Sequence, residues 1–248
     1  MKRKNNTRLV ENLNYLNLKK IVATYESAIV AAAENGTTHL EFLEEIIEDE
    51  VGGRQQRSAE RRLREARLPY VKTLDQFDWS WPEEINQMLI KNLFRMEFVE
   101  QKTNVIFMAN CGLGKSHLSL ALAYQACLNG TNVLFTKADE MIDTLDAAKT
   151  GGNISGTIKK YTSPKLLIID ELGFESVDGN AAGLFFKIIS RRYESGSIII
   201  TTNRPYKEWT KIFQDHTITN AILERVVHNS QTVVIKGKSY RWKDKFDL

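Results

Sequence analysis

The sequence lacks any apolar run approaching the roughly 20 residues of a membrane span. Its start, Met1-Lys2-Arg3-Lys4-Asn5-Asn6, is basic, but no apolar stretch follows as it would in a signal peptide. A cytoplasmic protein with no membrane partner is expected. Cysteine is scarce, since Cys111 and Cys127 are too few for a disulfide scaffold or a four-cysteine metal site. The four histidines, His39, His117, His216 and His228, are scattered without ligand spacing, so no structural zinc is expected. Excess charge is missing too. With 34 Lys+Arg against 31 Asp+Glu, the net charge of +3 does not by itself argue for nucleic acid, and the local distribution has to decide. No repeat or low-complexity tract is visible. What is present, 42% hydrophobic and 26% charged residues over 248 positions, suits a globular chain with one large domain and a small one.

The first part reads as helical. Leu9, Leu13, Leu16, Val22, Tyr25 and Ile29 recur at near-helical intervals through about residue 33, and Asn35-Gly36-Thr37-Thr38 is a stop followed by a new N-cap. A second helix follows, with Leu40, Leu43, Ile46 and Ile47 predicted on its buried face, and Val51-Gly52-Gly53 is expected to interrupt it. Between 54 and 67 the charge reverses, with six arginines against Glu60 and Glu65. At about 100° per residue, Arg54, Arg57, Arg61 and Arg64 share one arc of about 80°. The stripe is either a phosphate-contacting surface or a solvated face answering the acidic run before it. Residues 68–103 read as a connector with some helix. Beyond it, short apolar segments near 104–109, 132–136, 165–170, 197–202 and 232–235 alternate with helical ones, the pattern of an α/β fold with a five-stranded parallel sheet. The division expected is 1–70 helical, 71–103 connector and 104–248 catalytic.

Ala109-Asn110-Cys111-Gly112-Leu113-Gly114-Lys115-Ser116 sits between an apolar strand and the helix that opens at His117-Leu118. It resembles the phosphate-binding loop G-x-x-x-x-G-K-[ST] in its strand–loop–helix context. Small residues let successive backbone N–H groups converge on phosphate oxygens, and the helix N-terminus adds partial positive charge. Lys115 is placed to reach the β- and γ-phosphates of ATP, and Ser116 to ligate Mg²⁺. Ala109 stands where the pattern has its first glycine, which costs about 1 kcal/mol or more if that position needs a positive φ. Lys165-Leu166-Leu167-Ile168-Ile169-Asp170-Glu171 is a strand ending in two carboxylates. Asp170 suits the Mg²⁺ shell and Glu171 the general base that polarises the attacking water. Asn203, after the next strand, faces the ligand crevice and suits the γ-phosphate or the water, or else it begins the Asn203-Arg204-Pro205 turn.

Together with Thr201-Thr202-Asn203-Arg204-Pro205 and Ile222-Leu223-Glu224-Arg225, these motifs resemble the AAA+ ATPases of the DnaA/DnaC initiator clade. The N-terminal helices, the Glu60-Arg61-Arg62-Leu63-Arg64-Glu65-Ala66 run and Lys72-Thr73-Leu74-Asp75-Gln76-Phe77-Asp78 narrow the resemblance to IstB-type transposition helpers of bacterial insertion sequences.

The resemblance implies a cytoplasmic bacterial ATPase that uses ATP and Mg²⁺, forms a homo-oligomer, binds duplex DNA, selects or remodels a target and recruits or activates a transposase. It makes Arg225 an arginine finger acting in trans, with Arg204, Arg191 and Arg192 as rivals, or a surface arginine paired with Glu224 or Asp215. Only 23 residues follow Arg225. The helical lid is therefore expected to be reduced or absent, leaving the nucleotide open within one subunit so that a neighbour must help enclose it. The clade's DNA-tracking insertion falls at 138–163, with Lys149, Lys159 and Lys160 as its cations, unless that stretch is an ordinary surface loop. The tail Lys236-Gly237-Lys238-Ser239-Tyr240-Arg241-Trp242-Lys243 is either a nucleic-acid surface or a terminus whose aromatics pack on the sheet. Other readings are a DnaC-like helicase loader, a small-molecule kinase and a non-hydrolysing nucleotide-dependent scaffold.

Overall fold

The computed structural model describes residues 6–177 and 179–242, so Lys243 of the basic tail and most of the basic start lie outside the described residues. The chain divides into two compact units, 1–61 and 62–248. In the first, α1 (Asn6–Tyr15) and α2 (Lys19–Asn35) stand where the apolar spacing predicts one continuous helix. The break falls at Asn17, whose φ of 59° is left-handed, a conformation Asn tolerates better than most side chains. Gly36 ends α2 at φ 63°, its N–H donating to the Ala32 carbonyl. Thr38 and Glu41 then close a reciprocal capping box that starts α3 (His39–Ala66).

Two expectations about α3 fail. It runs unbroken through Val51-Gly52-Gly53 for 28 residues. Neither glycine has a positive φ, and a Cβ at Gly53 would lie 3.2 Å from Lys20 Cβ, so this glycine admits a close approach of α2 rather than ending a helix. Nor is the Leu40, Leu43, Ile46, Ile47 face buried, because Leu40 is 65% and Leu43 55% exposed. Periodicity marks an apolar stripe, but burial needs a neighbour. The link between α2 and α3 is instead polar. The buried Glu50 carboxylate accepts the N–H groups of Lys20 (2.7 Å) and Ile21 (3.1 Å), capping α2, whose own N-cap residue Leu18 offers no side-chain bond. It also holds Arg57 at 2.9 Å, with Arg54 at 3.9 Å. Burial raises the carboxyl's pKa, but the two amides and Arg57 outweigh it and hold the group below its ordinary value.

The second unit continues through a 3₁₀ turn (Leu74–Gln76), α4 (Gln87–Leu93), α5 (Glu97–Glu100), β1 (Asn104–Ala109), α6 (Lys115–Leu128), β2 (Val133–Lys137), α7 (Ala138–Thr150), α8 (Ile154–Thr162), β3 (Leu166–Leu172), α9 (Gly179–Arg192) and β4 (Ser197–Thr202). It closes with α10 (Thr210–Phe213), α11 (His216–His228), β5 (Ser230–Ile235) and a 3₁₀ turn (Tyr240–Trp242). The five strands lie within two residues of their expected positions and form a wholly parallel sheet of order β2-β3-β4-β1-β5. Both faces are covered, which is why the strands read as nearly continuous apolar runs. Val105 and Phe107 enter the layer under α6, while Ile106 enters the layer under α9 and α11. Arg192 on α9 is a structural pin: it is buried and donates to the carbonyls of Tyr161, Pro164, Lys165 and Ser197 at 2.7–3.1 Å. Because β4 lies between β1 and β3, the segments after all three strands open on one crevice at the carboxyl edge of the sheet.

Candidate active site

The glycine-rich loop after Ala109 joins β1 to α6, which opens at Lys115, two residues before the expected start. Gly112 (φ 76°) and Gly114 (φ 84°) take the left-handed conformations of the turn, whereas Ala109 has no positive φ and closes β1 as a buried strand residue. The anticipated strain at Ala109 is therefore absent. The Lys115 ammonium is buried and donates to the carbonyls of Ala109 and Asn110, both at 2.8 Å. That leaves one of its three donors for a ligand. Burial lowers its pKa, opposed by the neighbouring Cys111, Asp170 and Glu171. Cys111 is exposed on the loop, while Cys127 is buried on α6 with its thiol pushed up to about 11, too high for reactivity.

Across the crevice, Ser116 Oγ donates to Asp170 at 2.9 Å, and Thr201 Oγ1 donates to the same carboxylate oxygen at 2.6 Å. Burial raises the pKa of Asp170, while these two donors pull it back. Thr201 also accepts the N–H of Glu171 at 2.9 Å. The β3–β4 register shifts between Ile169 and Leu172, and Glu171 sits at φ 63°. A bulge of this kind re-aims a side chain, and a left-handed non-glycine residue is strain held at a site by its surroundings. The Glu171 carboxylate is half-buried and lies 3.7 Å from Lys137 Nζ at the end of β2. Asn203, just past β4, has a buried amide oxygen without a hydrogen-bond partner among the described residues. The hydroxyl–carboxylate pair Ser116–Asp170 supplies hard oxygen donors and leaves room for phosphate and water oxygens, a set that fits Mg²⁺.

Lys115, Ser116, His117 and Glu171 line a cavity of about 520 Å³ whose other wall comes from Tyr70, Lys72, Phe77 and Trp81, with Tyr240 and Arg241 at the rim. This wall was not legible in the sequence. Phe77 packs so close to Gly114 that no Cβ would fit there. His117 bonds the Thr73 carbonyl at 2.9 Å and meets the Phe77 ring edge-on at 5.5 Å, and burial lowers its pKa. This chain itself thus supplies part of the cavity wall, from the segment before α4.

Arg225 is not brought to this cavity. It stacks over Phe186 at 5.0 Å, donates to the Ala221 carbonyl and borders a separate small cleft with Asn104 and Tyr193. Asp215, a suggested partner, instead caps α11 by accepting the Ile218 N–H. Among the rival fingers, Arg192 is buried and Arg204 is tied to the Gly173 carbonyl (2.6 Å) and to Glu208, while Arg191 is exposed. Of the expected DNA contacts, Arg54 and Arg57 are engaged by Glu50. Arg61, Arg64, Lys149 and Lys159 are exposed, and Lys160 lies over the Tyr161 ring. The stretch 138–163 forms α7 and α8, separated at Gly151-Gly152-Asn153.

Comparison with known proteins supplies the rest. The profile of the IstB-like ATP binding protein family matches residues 11–247. A protein of Pseudomonas aeruginosa named for ATP binding in insertion sequence IS21 is 39% identical over 94% of this chain and 88% of its own length. Its counterpart named for IS232 in Bacillus thuringiensis subsp. berliner is 35% identical over 96% and 95%. Among solved structures, DnaI superposes with a TM-score of 0.55 at 19% identity, covering 68% of this chain and 89% of that one. AMPPCP-bound DnaA from Aquifex aeolicus superposes with a TM-score of 0.53 at 23% identity, covering 69% and 52%. At those identities the structures establish the fold alone. With the phosphate loop, the acidic strand end and their crevice in place, the chain belongs to the IstB-like ATP-binding protein family and is an ATPase with an AAA+ core.

Proposed function

We propose that this ATPase oligomerises on duplex DNA in its ATP state, selects or remodels a transposition target, recruits or activates the transposase, and is reset by hydrolysis. The observation that carries the reading is the Ser116–Asp170–Thr201 network beside Lys115 and Glu171, around a cavity of nucleotide size. Membership in a family whose relatives are named for insertion sequences directs the activity toward transposition rather than helicase loading.

In this reading Lys115 and the loop N–H groups hold the phosphates, and Ser116 and Asp170 hold Mg²⁺. Bound there, the ion would neutralise charge that develops on the phosphate oxygens. Glu171 takes a proton from the attacking water as its oxygen bonds the γ-phosphorus and the bond to the β–γ bridging oxygen breaks, giving ADP and phosphate. The amide oxygen of Asn203 accepts a hydrogen bond from that water. Arg225, remote from its own cavity, reaches the γ-phosphate of a neighbouring subunit. Arg61, Arg64, Lys149, Lys159 and Lys160 contact DNA phosphates, with Arg54 and Arg57 restrained by Glu50.

Duplex affinity measured against salt, with and without a non-hydrolysable ATP analogue, tests this reading. Binding should require the analogue, and the log–log slope should be about −0.9 per phosphate contacted. It should flatten when Lys159 and Lys160 are replaced by Ala. A slope near zero, or tighter binding to single strands than to duplex, would overturn it.

A further inference from the structure

The segment after β5 leaves the sheet and crosses over the outer side of the phosphate loop, although nothing in the reading so far uses it. Its start is pinned to the segment before α4. The N–H groups of Glu83 and Glu84 donate to the Lys236 carbonyl at 3.0 and 3.2 Å, the Lys236 N–H returns a bond to Glu84, and the Lys236 ammonium pairs with the Glu84 carboxylate at 2.6 Å. The Trp81 indole N–H donates to the Lys238 carbonyl at 2.8 Å, and the Trp81 and Tyr240 rings meet edge-on at 5.5 Å. So anchored, the Tyr240 N–H donates to the Gly112 carbonyl at 2.8 Å. A Cβ at Gly112 would overlap the Ser239 side chain, so the segment lies as near the loop as a glycine permits.

This bond acts on the loop through the geometry of one peptide. The Gly112 carbonyl and the Leu113 N–H belong to the same planar trans unit and point in opposite directions. Holding the carbonyl toward residues 236–241 turns the Leu113 N–H the other way, toward the face of the loop where successive N–H groups cradle an anion. Arg241 borders the same cavity as Lys115.

We infer that residues 236–241 form a clamp on the phosphate loop, in which the Tyr240 N–H orients the Leu113 N–H for phosphate and Arg241 supplies a second cation, in cis, to the β- and γ-phosphates of the nucleotide. The inference rests on the nucleotide-binding reading of the cavity. Tyr240 is a positioning residue acting through its backbone, and Arg241 is a ligand-contacting one.

Equilibrium titration of the full chain with a fluorescent ATP analogue and its AMP counterpart tests the clamp, with Lys115→Ala as reference. Arg241→Ala should weaken ATP about tenfold, the low end for a hydrogen bond to a charged group. It should leave AMP unchanged, and Arg241→Lys should restore part of the loss. A merely structural tail would weaken both nucleotides alike. Tyr240→Pro deletes the N–H at the first position of a 3₁₀ turn, where proline's fixed φ is tolerated. It should bind ATP several-fold more weakly than Tyr240→Ala, which loses the ring but keeps the N–H. Should Tyr240→Pro fail to fold, Trp81→Phe, which removes only the indole donor to Lys238, should show the smaller loss in its place. The clamp is wrong if Arg241→Ala binds ATP within twofold of wild type, or if Tyr240→Pro matches Tyr240→Ala. In either case wild-type binding abolished by Lys115→Ala leaves the nucleotide reading standing, whereas a wild-type protein that binds no ATP analogue removes that reading itself.

Discussion

The two units of this chain use apolar residues in opposite ways. In residues 62–248 the strands β1, β3 and β4 are almost wholly buried, and two apolar layers cover the sheet. In residues 1–61, Ile21 and Tyr25 are the buried apolar side chains among those described, while Leu16, Val30, Leu40 and Leu43 stay more than half exposed. The first arrangement stabilises itself by burial, at roughly 25 cal/mol for each Å² of apolar surface removed from water. The second relies on helix capping and on the Glu50 cluster, interactions worth about 1 kcal/mol apiece. Chemistry and stability should therefore concentrate in the second unit.

The largest expected effects test that concentration. Glu171→Gln should bind ATP as wild type does but lose turnover by about a hundredfold or more, because a general base is needed only at the transition state. Lys115→Ala should lose ATP binding itself, as titration with a fluorescent analogue would show. A Glu171→Gln protein that turns over at the wild-type rate would remove the catalytic assignment from the end of β3.

Next comes Arg192, whose removal takes a donor from four carbonyls, those of Tyr161 and Ser197 in buried bonds and those of Pro164 and Lys165 in partly buried ones. Urea unfolding of Arg192→Met should show a loss of about 1–3 kcal/mol, whereas the exposed neighbour Arg191→Met should stay within about 0.5 kcal/mol. Equal effects at the two positions would contradict the burial contrast.

Glu50→Ala should cost about 1–2 kcal/mol, confined to the first unit and seen as faster hydrogen exchange in α2. Its pH dependence has a definite sign. The folded carboxyl has a lowered pKa, so its contribution is complete above the ordinary carboxylate value near 4.5 and is lost as pH falls through the lower folded value. Acid titration of α2 exchange in wild type should show this loss, and in Glu50→Ala it should be absent.

The smallest effect separates two adjacent glycines. Gly52 has open space where a Cβ would go, so Gly52→Ala should raise stability by about 0.5–1 kcal/mol. At Gly53 the same methyl would press on Lys20, and thermal melts should show that gain cancelled. A larger gain at Gly53 than at Gly52 would mean that α2 does not approach α3 there.

The sheet and the acidic half of the site were legible because their determinants are local in the chain. A strand buried on both faces must be apolar throughout, as Ile198-Ile199-Ile200 is, and a loop that wraps phosphate must carry Gly112, Gly114 and Lys115 in order. Helix breaks were less legible. Gly52-Gly53 reads as a stop by propensity but costs only about 1 kcal/mol per residue inside a helix, which the rest of α3 offsets. Asn17, with no such signal, carries the actual break.

By itself, then, the sequence determined the α/β class, the strand positions, the glycine-rich turn between β1 and α6 and the carboxylates at the end of β3. It could do so because hydrophobic period and turn chemistry act between residues near in the chain. Only the tertiary structure decided which groups far apart in sequence meet. Thr201 reaches Asp170, Phe77 covers Gly114, Tyr240 holds Gly112, and Glu50 caps a helix that begins 31 residues before it. Hydrogen bonds and contacts of this kind act over about 3–4 Å in space. Their partners are set by how strands order and helices cross, and no local pattern in the chain records that.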